Sequence, residues 1–224
     1  MSMELTAQKQ NLVKACRKLA ERGFVAATDG NVSLRLDDGT ILVTPSGRSK
    51  ADIDEDELIV VGLDGRVVGG IGRPSTEFGM HTLIYRKRPD VRAIVHAHPV
   101  HATAFAAARL ALDKLIFPEV IVTLGRIPLA DYSTPSTAEV AAAIEPLVVD
   151  FDAILLANHG VVTCGPDLDD AYNKMEKVEH TAAVNFIAMQ LGGAKELTVD
   201  EVQRLASVSE RSYGKKVDLN KIYR

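Results

Sequence analysis

The stretch AIVHAHPVHATA, residues 93–104, decides how this chain is read. With Val91 and Arg92 ahead of it, its first half is a short apolar run of the kind that forms a buried strand. Pro99 has no backbone N–H to give a sheet and ends the strand, and from Val100 the pattern is helical. The passage also packs three of the chain's six histidines into six positions. Residues two apart on a strand face the same way, so His96 and His98 project together, about 7 Å apart by the strand rise. His101, beyond the proline, does not share that geometry. Such a pair suits two ligands of one metal ion. It equally suits a polar strand end satisfied by local hydrogen bonds.

The same alternation of short strands and helices extends in both directions. An amphipathic helix is expected over 4–22, with Leu5, Leu12, Ala15, Cys16, Leu19 and Ala20 at helical spacing and Gly23 ending it. NVSLRL and TILVTPS read as strands around a DDGT turn, and LIVVGLD with RVV as a hairpin around DG. Pro74 and Ser75 are expected to open a helix running through Tyr85. VIVTLGRIPLADY holds one more strand, and Ser136 with Glu139 forms a capping box before an Ala-rich helix. DAILLANHG and VVTCG are strands, 166–190 is one long helix, and TVDEVQRLASV a shorter one. Residues 209–224 read as a polar tail. The sum is a single mixed α/β domain over 1–224, a central, largely antiparallel sheet flanked by helices.

Composition narrows the function. The 224 residues suffice for one sizeable core or two small ones; 46% are hydrophobic and 25% charged, and the net charge of −4 argues against nucleic acid or an anionic membrane as partner. No apolar run approaches a bilayer span, and MSMELTAQKQ lacks a signal core, so a cytoplasmic location is expected. Cys16 and Cys164 make no disulfide framework and read as inert buried thiols.

A third ligand candidate strengthens the metal reading. LLANHG ends an apolar strand in His159, with Gly160 permitting an abrupt turn. Three imidazoles at the ends of two strands imply Zn²⁺, or cobalt, nickel or manganese in its place, with an open fourth position, the catalytic rather than the structural pattern. His81 shares a helix face with Glu77 and is either a further ligand or simply packed; His180 reads as structural. Three donor-rich turns follow the same logic. Gly30 and Asn31, Ser46 and Gly47, and Ser75 and Thr76 (the last pair at a helix N-terminus) can bind an anion if they converge, and are ordinary turns or caps if they do not.

GNVS, TPSG, PSTE, HAH and NHG, in that order and at these intervals, resemble the class II aldolase/adducin family, and its L-fuculose-1-phosphate aldolase group in particular. The resemblance implies the family's three-layer fold, zinc on His96, His98 and His159, and Glu77 as the acid/base that can also approach the metal. It implies phosphate contacts at Gly30, Asn31, Ser46, Gly47, Ser75 and Thr76. It implies a homotetramer with sites at subunit interfaces, where Tyr213 reaches a neighbour's site. The chemistry implied is reversible cleavage of a ketose 1-phosphate, a deoxy sugar or pentulose phosphate, to dihydroxyacetone phosphate and an aldehyde through an enediolate stabilised by zinc. One departure stands out: Glu119 lies near the place of a catalytic Tyr. That Glu is a feature of methylthioribulose-1-phosphate dehydratases, so a dehydratase or a pentulose-phosphate 4-epimerase is the alternative. Glu119 is otherwise a capping residue after Pro118, and Tyr132 a core or site-edge residue.

Overall fold

The computed structural model describes residues 3–213 and 217–223. Helix α1 (Met3–Glu21) buries Leu12, Val13, Cys16 and Leu19 along one face. Gly23 ends it at φ +68, where its N–H and that of Phe24 reach back to the carbonyls of Ala20 and Leu19. A hairpin follows, β1 (Asn31–Arg35) and β2 (Ile41–Val43), then β3 (Ile59–Val61) and β4 (Val67–Gly69). Helix α2 (Phe78–Lys87) leads to β5 (Ala93–Ala97) and α3 (Val100–Ala107), the strand and helix read from residues 93–104. Then come α4 (Pro118–Thr123), β6 (Leu129–Ala130), α5 (Ala138–Val148), β7 (Ala153–Leu156) and β8 (Gly160–Gly165). The chain closes on α6 (Leu168–Gln190), α7 (Val199–Tyr213) and α8 (Leu219–Tyr223).

The strands form one mixed sheet in the order β4-β3-β2-β1-β5-β8-β7-β6, parallel only where β6 meets β7. Alternation along each strand sends side chains to two cores. Val95 and Ala97 join Leu12, Cys16, Met175 and Val178 of α1 and α6 on one face. Ile94 joins Ile84, Tyr85 and Ile144 of α2 and α5 on the other. His96 therefore shares the α2 face with Ile94.

Three local expectations need correction. The helix expected from Pro74 starts at Phe78. Pro74 bridges Pro45 and the Arg73 carbonyl accepts from Ser46 N, so the sheet edge holds 73–74 extended and Ser75–Glu77 become a turn. The cap of α5 is Thr137, whose hydroxyl accepts from Glu139 N, while Ser136 sits at φ 64. The strand expected within residues 120–132 is β6, Leu129–Ala130, preceded by helical Val120–Thr123. The expected tail carries structure: α7 runs through Tyr213, and Ile222 is buried with Leu115, Ile121 and Val202.

Candidate active site

His96 and His98 stand at the end of β5, and His159 precedes β8 in the hairpin from β7. Because Ala97 pairs with Val161, the two strand ends lie side by side. The ring nitrogens of His96, His98 and His159 all lie within 4.8 Å of one another and could hold a metal ion. The Nε2 atoms of His96 and His98 are 3.2 Å apart. Two nitrogens each about 2.0–2.1 Å from a tetrahedral ion such as zinc stand about 3.3 Å apart, so the donors are set at ligand spacing. His96 Nδ1 lies 2.9 Å from the Val161 carbonyl, which makes it the N–H and leaves Nε2 as the lone pair. His98 Nδ1 faces Asp29 at 3.5 Å.

Glu77, the residue before α2, wedges into this group. Its Oε2 is 3.2 Å from His96 Nε2 and its Oε1 3.1 Å from His159 Nε2. Oε1 nevertheless makes no hydrogen bond of good geometry, as expected of ligand atoms that face a shared point rather than each other. Asn31, opposite His96 in the sheet, donates Nδ2–H to Oε2 at 2.9 Å. Burial pushes the Glu77 carboxyl up, but the neighbouring His159 and His96 outweigh it and hold it below the usual carboxylate range. Burial first, and then the charges of His96 and His159, push His98 down to about 4. His98 is therefore neutral at neutral pH, the form that binds a metal.

The donor-rich turns converge. Pro45 bridges Pro74, which joins the Ser46–Gly47 turn to the Ser75–Thr76 turn. Lys50, fully buried, donates to the carbonyls of Thr28 at 2.9 Å and Arg48 at 2.6 Å and so straps the Gly30 turn to the Ser46 turn. Gly30 has φ +72, and a Cβ there would come 2.8 Å from the His96 carbonyl, so the glycine lets this turn pack against the metal strand. Asn31 is committed to Glu77, and Thr76 Oγ1 to Ser136 Oγ at 2.7 Å. Ser46 and Gly47 are exposed.

Other candidates fall outside this cluster. Glu119 is exposed in the first turn of α4, and among the described residues no contact joins its carboxylate to the histidines. The Tyr213 side chain lies outside the described residues. His101 is bound to Glu179, not to the cluster. His81 is fully buried against Ser33 at 2.7 Å, and burial pushes it down to about 3. Cys16 and Cys164 are buried, which pushes both thiols up to about 12. Lys50, Asp29 and Asn158 were not legible as site residues. A lysine's burial leaves no mark in sequence, and Asn158 shows itself only through its left-handed φ of 56.

A cluster of strand-end imidazoles with an adjacent carboxylate, set on this mixed sheet, is a site of the class II aldolase kind. The chain belongs to the family described as Class II Aldolase and Adducin N-terminal domain, which its residues 10–186 match. It is 36% identical over 213 residues to the 3-oxo-tetronate 4-phosphate decarboxylase of Pectobacterium atrosepticum, covering 92% of this chain and 95% of that one. It is 37% identical over 181 residues to the L-fuculose phosphate aldolase of Methanococcus maripaludis, covering 81% of this chain and 97% of that one. A solved L-fuculose 1-phosphate aldolase superposes with a TM-score of 0.84 at 32% identity, covering 92% of this chain and 96% of that one. No helix of the described residues is long and apolar enough to cross a membrane.

Proposed function

We propose that this protein is a zinc enzyme that breaks the carbon–carbon bond one carbon removed from the carbonyl of a small sugar phosphate, releasing dihydroxyacetone phosphate. The observation that carries the reading is Glu77, with one oxygen within 3.2 Å of each of two converging ligand nitrogens. His96, His98 and His159, with Glu77 beside them, would hold zinc, which would supply Lewis-acid polarisation of the carbonyl. The donor set contains imidazole and no thiolate, which suits zinc. The turns at Gly30–Asn31, Ser46–Gly47 and Ser75–Thr76 hold the phosphate and fix orientation.

In the aldolase reaction on a ketose 1-phosphate, the C4 hydroxyl loses its proton and the C3–C4 bond breaks. Its electron pair stays on C3, the aldehyde leaves, and Glu77 delivers a proton to C3. The substrate is a fuculose 1-phosphate-like deoxy sugar or a pentulose phosphate. The chain assembles as a cytoplasmic homotetramer, with Tyr213 serving a neighbouring subunit's site and Glu119 in the aldehyde half.

A second reading has a specific support, the relative named 3-oxo-tetronate 4-phosphate decarboxylase. In such a substrate the bond to the carboxylate breaks, CO₂ leaves, the pair stays on the carbon beside the carbonyl, and Glu77 protonates that carbon. Both reactions pass through the same enediolate of dihydroxyacetone phosphate and differ in the fragment that leaves.

The experiment incubates zinc-loaded protein with dihydroxyacetone phosphate in D₂O and follows the C3 protons by NMR. Wash-out of one proton is expected, slowed at least 100-fold in Glu77→Gln with zinc retained, the scale of a lost general acid/base. No exchange in fully zinc-loaded protein would overturn the reading and direct attention to dehydration or epimerisation.

A further inference from the structure

The sheet order lays out one end of the molecule as a line. The Ser46 turn follows β2, the Gly30 turn precedes β1, His96 and His98 end β5, and His159 lies between β7 and β8. Because β6 runs parallel to β7, the end of β6 lies at the same edge, and Tyr132 follows it by two residues. With neighbouring strands about 4.8 Å apart, the histidines fall between the anion-donor turns and Tyr132.

Arg109 stands at that far flank. Its Nε donates to Asn158 Oδ1 at 2.7 Å, and its Cζ lies 5.7 Å from the centre of the Tyr132 ring. Asn158 immediately precedes the ligand His159 and is tied to α3 by its N–H on Ala106 O at 3.1 Å. Arg109 and Asn158 both occupy the left-handed region, at φ 58 and 56. Non-glycine residues held there cost energy, and such strain gathers at binding sites. With Nε and one face engaged, the two Nη groups of an exposed guanidinium have no partner among the described residues. A planar fork of N–H donors matches a carboxylate.

We propose that Arg109, braced by Asn158 and Tyr132, binds a carboxylate at the end of the substrate opposite the phosphate, so that the site selects phosphorylated 3-oxo acids over neutral ketose phosphates. This rests on the decarboxylation reading above, the second of the two, and favours it over the ketose-phosphate one. A substrate anchored by its phosphate at the three turns and by its carbonyl at the histidines directs its remaining end toward β6. A sugar's leaving fragment brings only hydroxyls there, whereas a 3-oxo acid brings a charge. The role is capture. Negative charge leaves the carboxylate as CO₂ forms, so the contact weakens toward the transition state and acts on KM rather than kcat.

The test titrates zinc-loaded protein calorimetrically with erythronate 4-phosphate and with erythritol 4-phosphate, which differ only in carboxylate against hydroxymethyl at C1. The acid is expected to bind at least tenfold more tightly. Arg109→Gln should bring the two within threefold of each other, and Arg109→Lys should keep part of the preference. Equal affinities in the unmutated protein overturn the proposal. So does a preference that survives Arg109→Gln, which assigns it to the metal alone. Binding of the polyol phosphate without preference leaves the sugar-phosphate reading standing, whereas binding of neither overturns that reading and the proposal together.

Discussion

The site is decided by single atoms, and Gly160 shows how. The sequence suggests that this glycine permits a turn. In the structure the left-handed residue of that turn is Asn158, and Gly160 serves close approach instead. A Cβ at 160 would lie 2.4 Å from His98 Cδ2 and 2.6 Å from the Ala97 carbonyl. Relieving both contacts requires the His98 ring to turn away and the paired backbone of β5 and β8 to shift at this end of the strands. Gly160→Ala is therefore expected to cost about 10–100-fold in metal affinity, the range for a disturbed ligand support, while the protein still folds. Competition with a zinc-binding dye measures it, and affinity within twofold of the parent would sink the argument. His96 and His98 were legible because strand alternation is a strict rule, and His159 because it ends an apolar run. The contacts that brace them were not. Asn31 meets Glu77 across 46 positions and Lys50 reaches Thr28 across 22, distances over which local pattern carries nothing.

At the scale of elements, α2 sets Glu77, and a buried hydrogen-bond chain sets α2. His81 Nδ1 and Tyr85 Oη, one turn apart on the helix, both lie 2.7 Å from Ser33 Oγ on β1. His81 is fully buried, which pushes it down to about 3 from an ordinary value near 6.5. In that window the unfolded chain binds a proton that the native state refuses. Stability is therefore unaffected above about pH 6.5 and falls as pH drops below it, by at most about 1.4 kcal/mol per pH unit for one proton. His81→Gln has no such proton to take up. The stability advantage of the parent over this variant, from urea melts of metal-free protein, should shrink by about that slope between pH 6 and 4. A difference that does not change with pH would refute the assignment. Long periodic helices such as α1 and α6 were legible because one apolar face persists over many turns. The start of α2 was not, because Pro74 answers to Pro45 in the sheet rather than to its own sequence neighbours.

At the scale of the molecule, the three-layer arrangement follows from alternation in the strands, but one outer face stays unfinished. Val100, Leu110, Phe186 and Met189, from α3, the turn after it and the end of α6, are 67%, 45%, 50% and 50% exposed around an apolar groove. Ile187 and Leu191 extend the exposed apolar surface at that end of α6. Large contiguous apolar surface on a folded chain marks an interaction site, and the expected homotetramer supplies one. α3 begins two residues after His98, so a neighbour packed on this face would sit beside the metal centre. A charge buried there without a partner is strongly unfavourable. Phe186→Glu should therefore convert the tetramer to smaller species, read by light scattering coupled to size exclusion at micromolar concentration. Zinc content should hold, because the ligands come from one chain, while activity should fall with the tetramer if a neighbour completes the site. A parent protein that runs as a monomer would end the tetramer proposal. A Phe186→Glu tetramer would move the interface elsewhere and leave this groove unexplained by self-association.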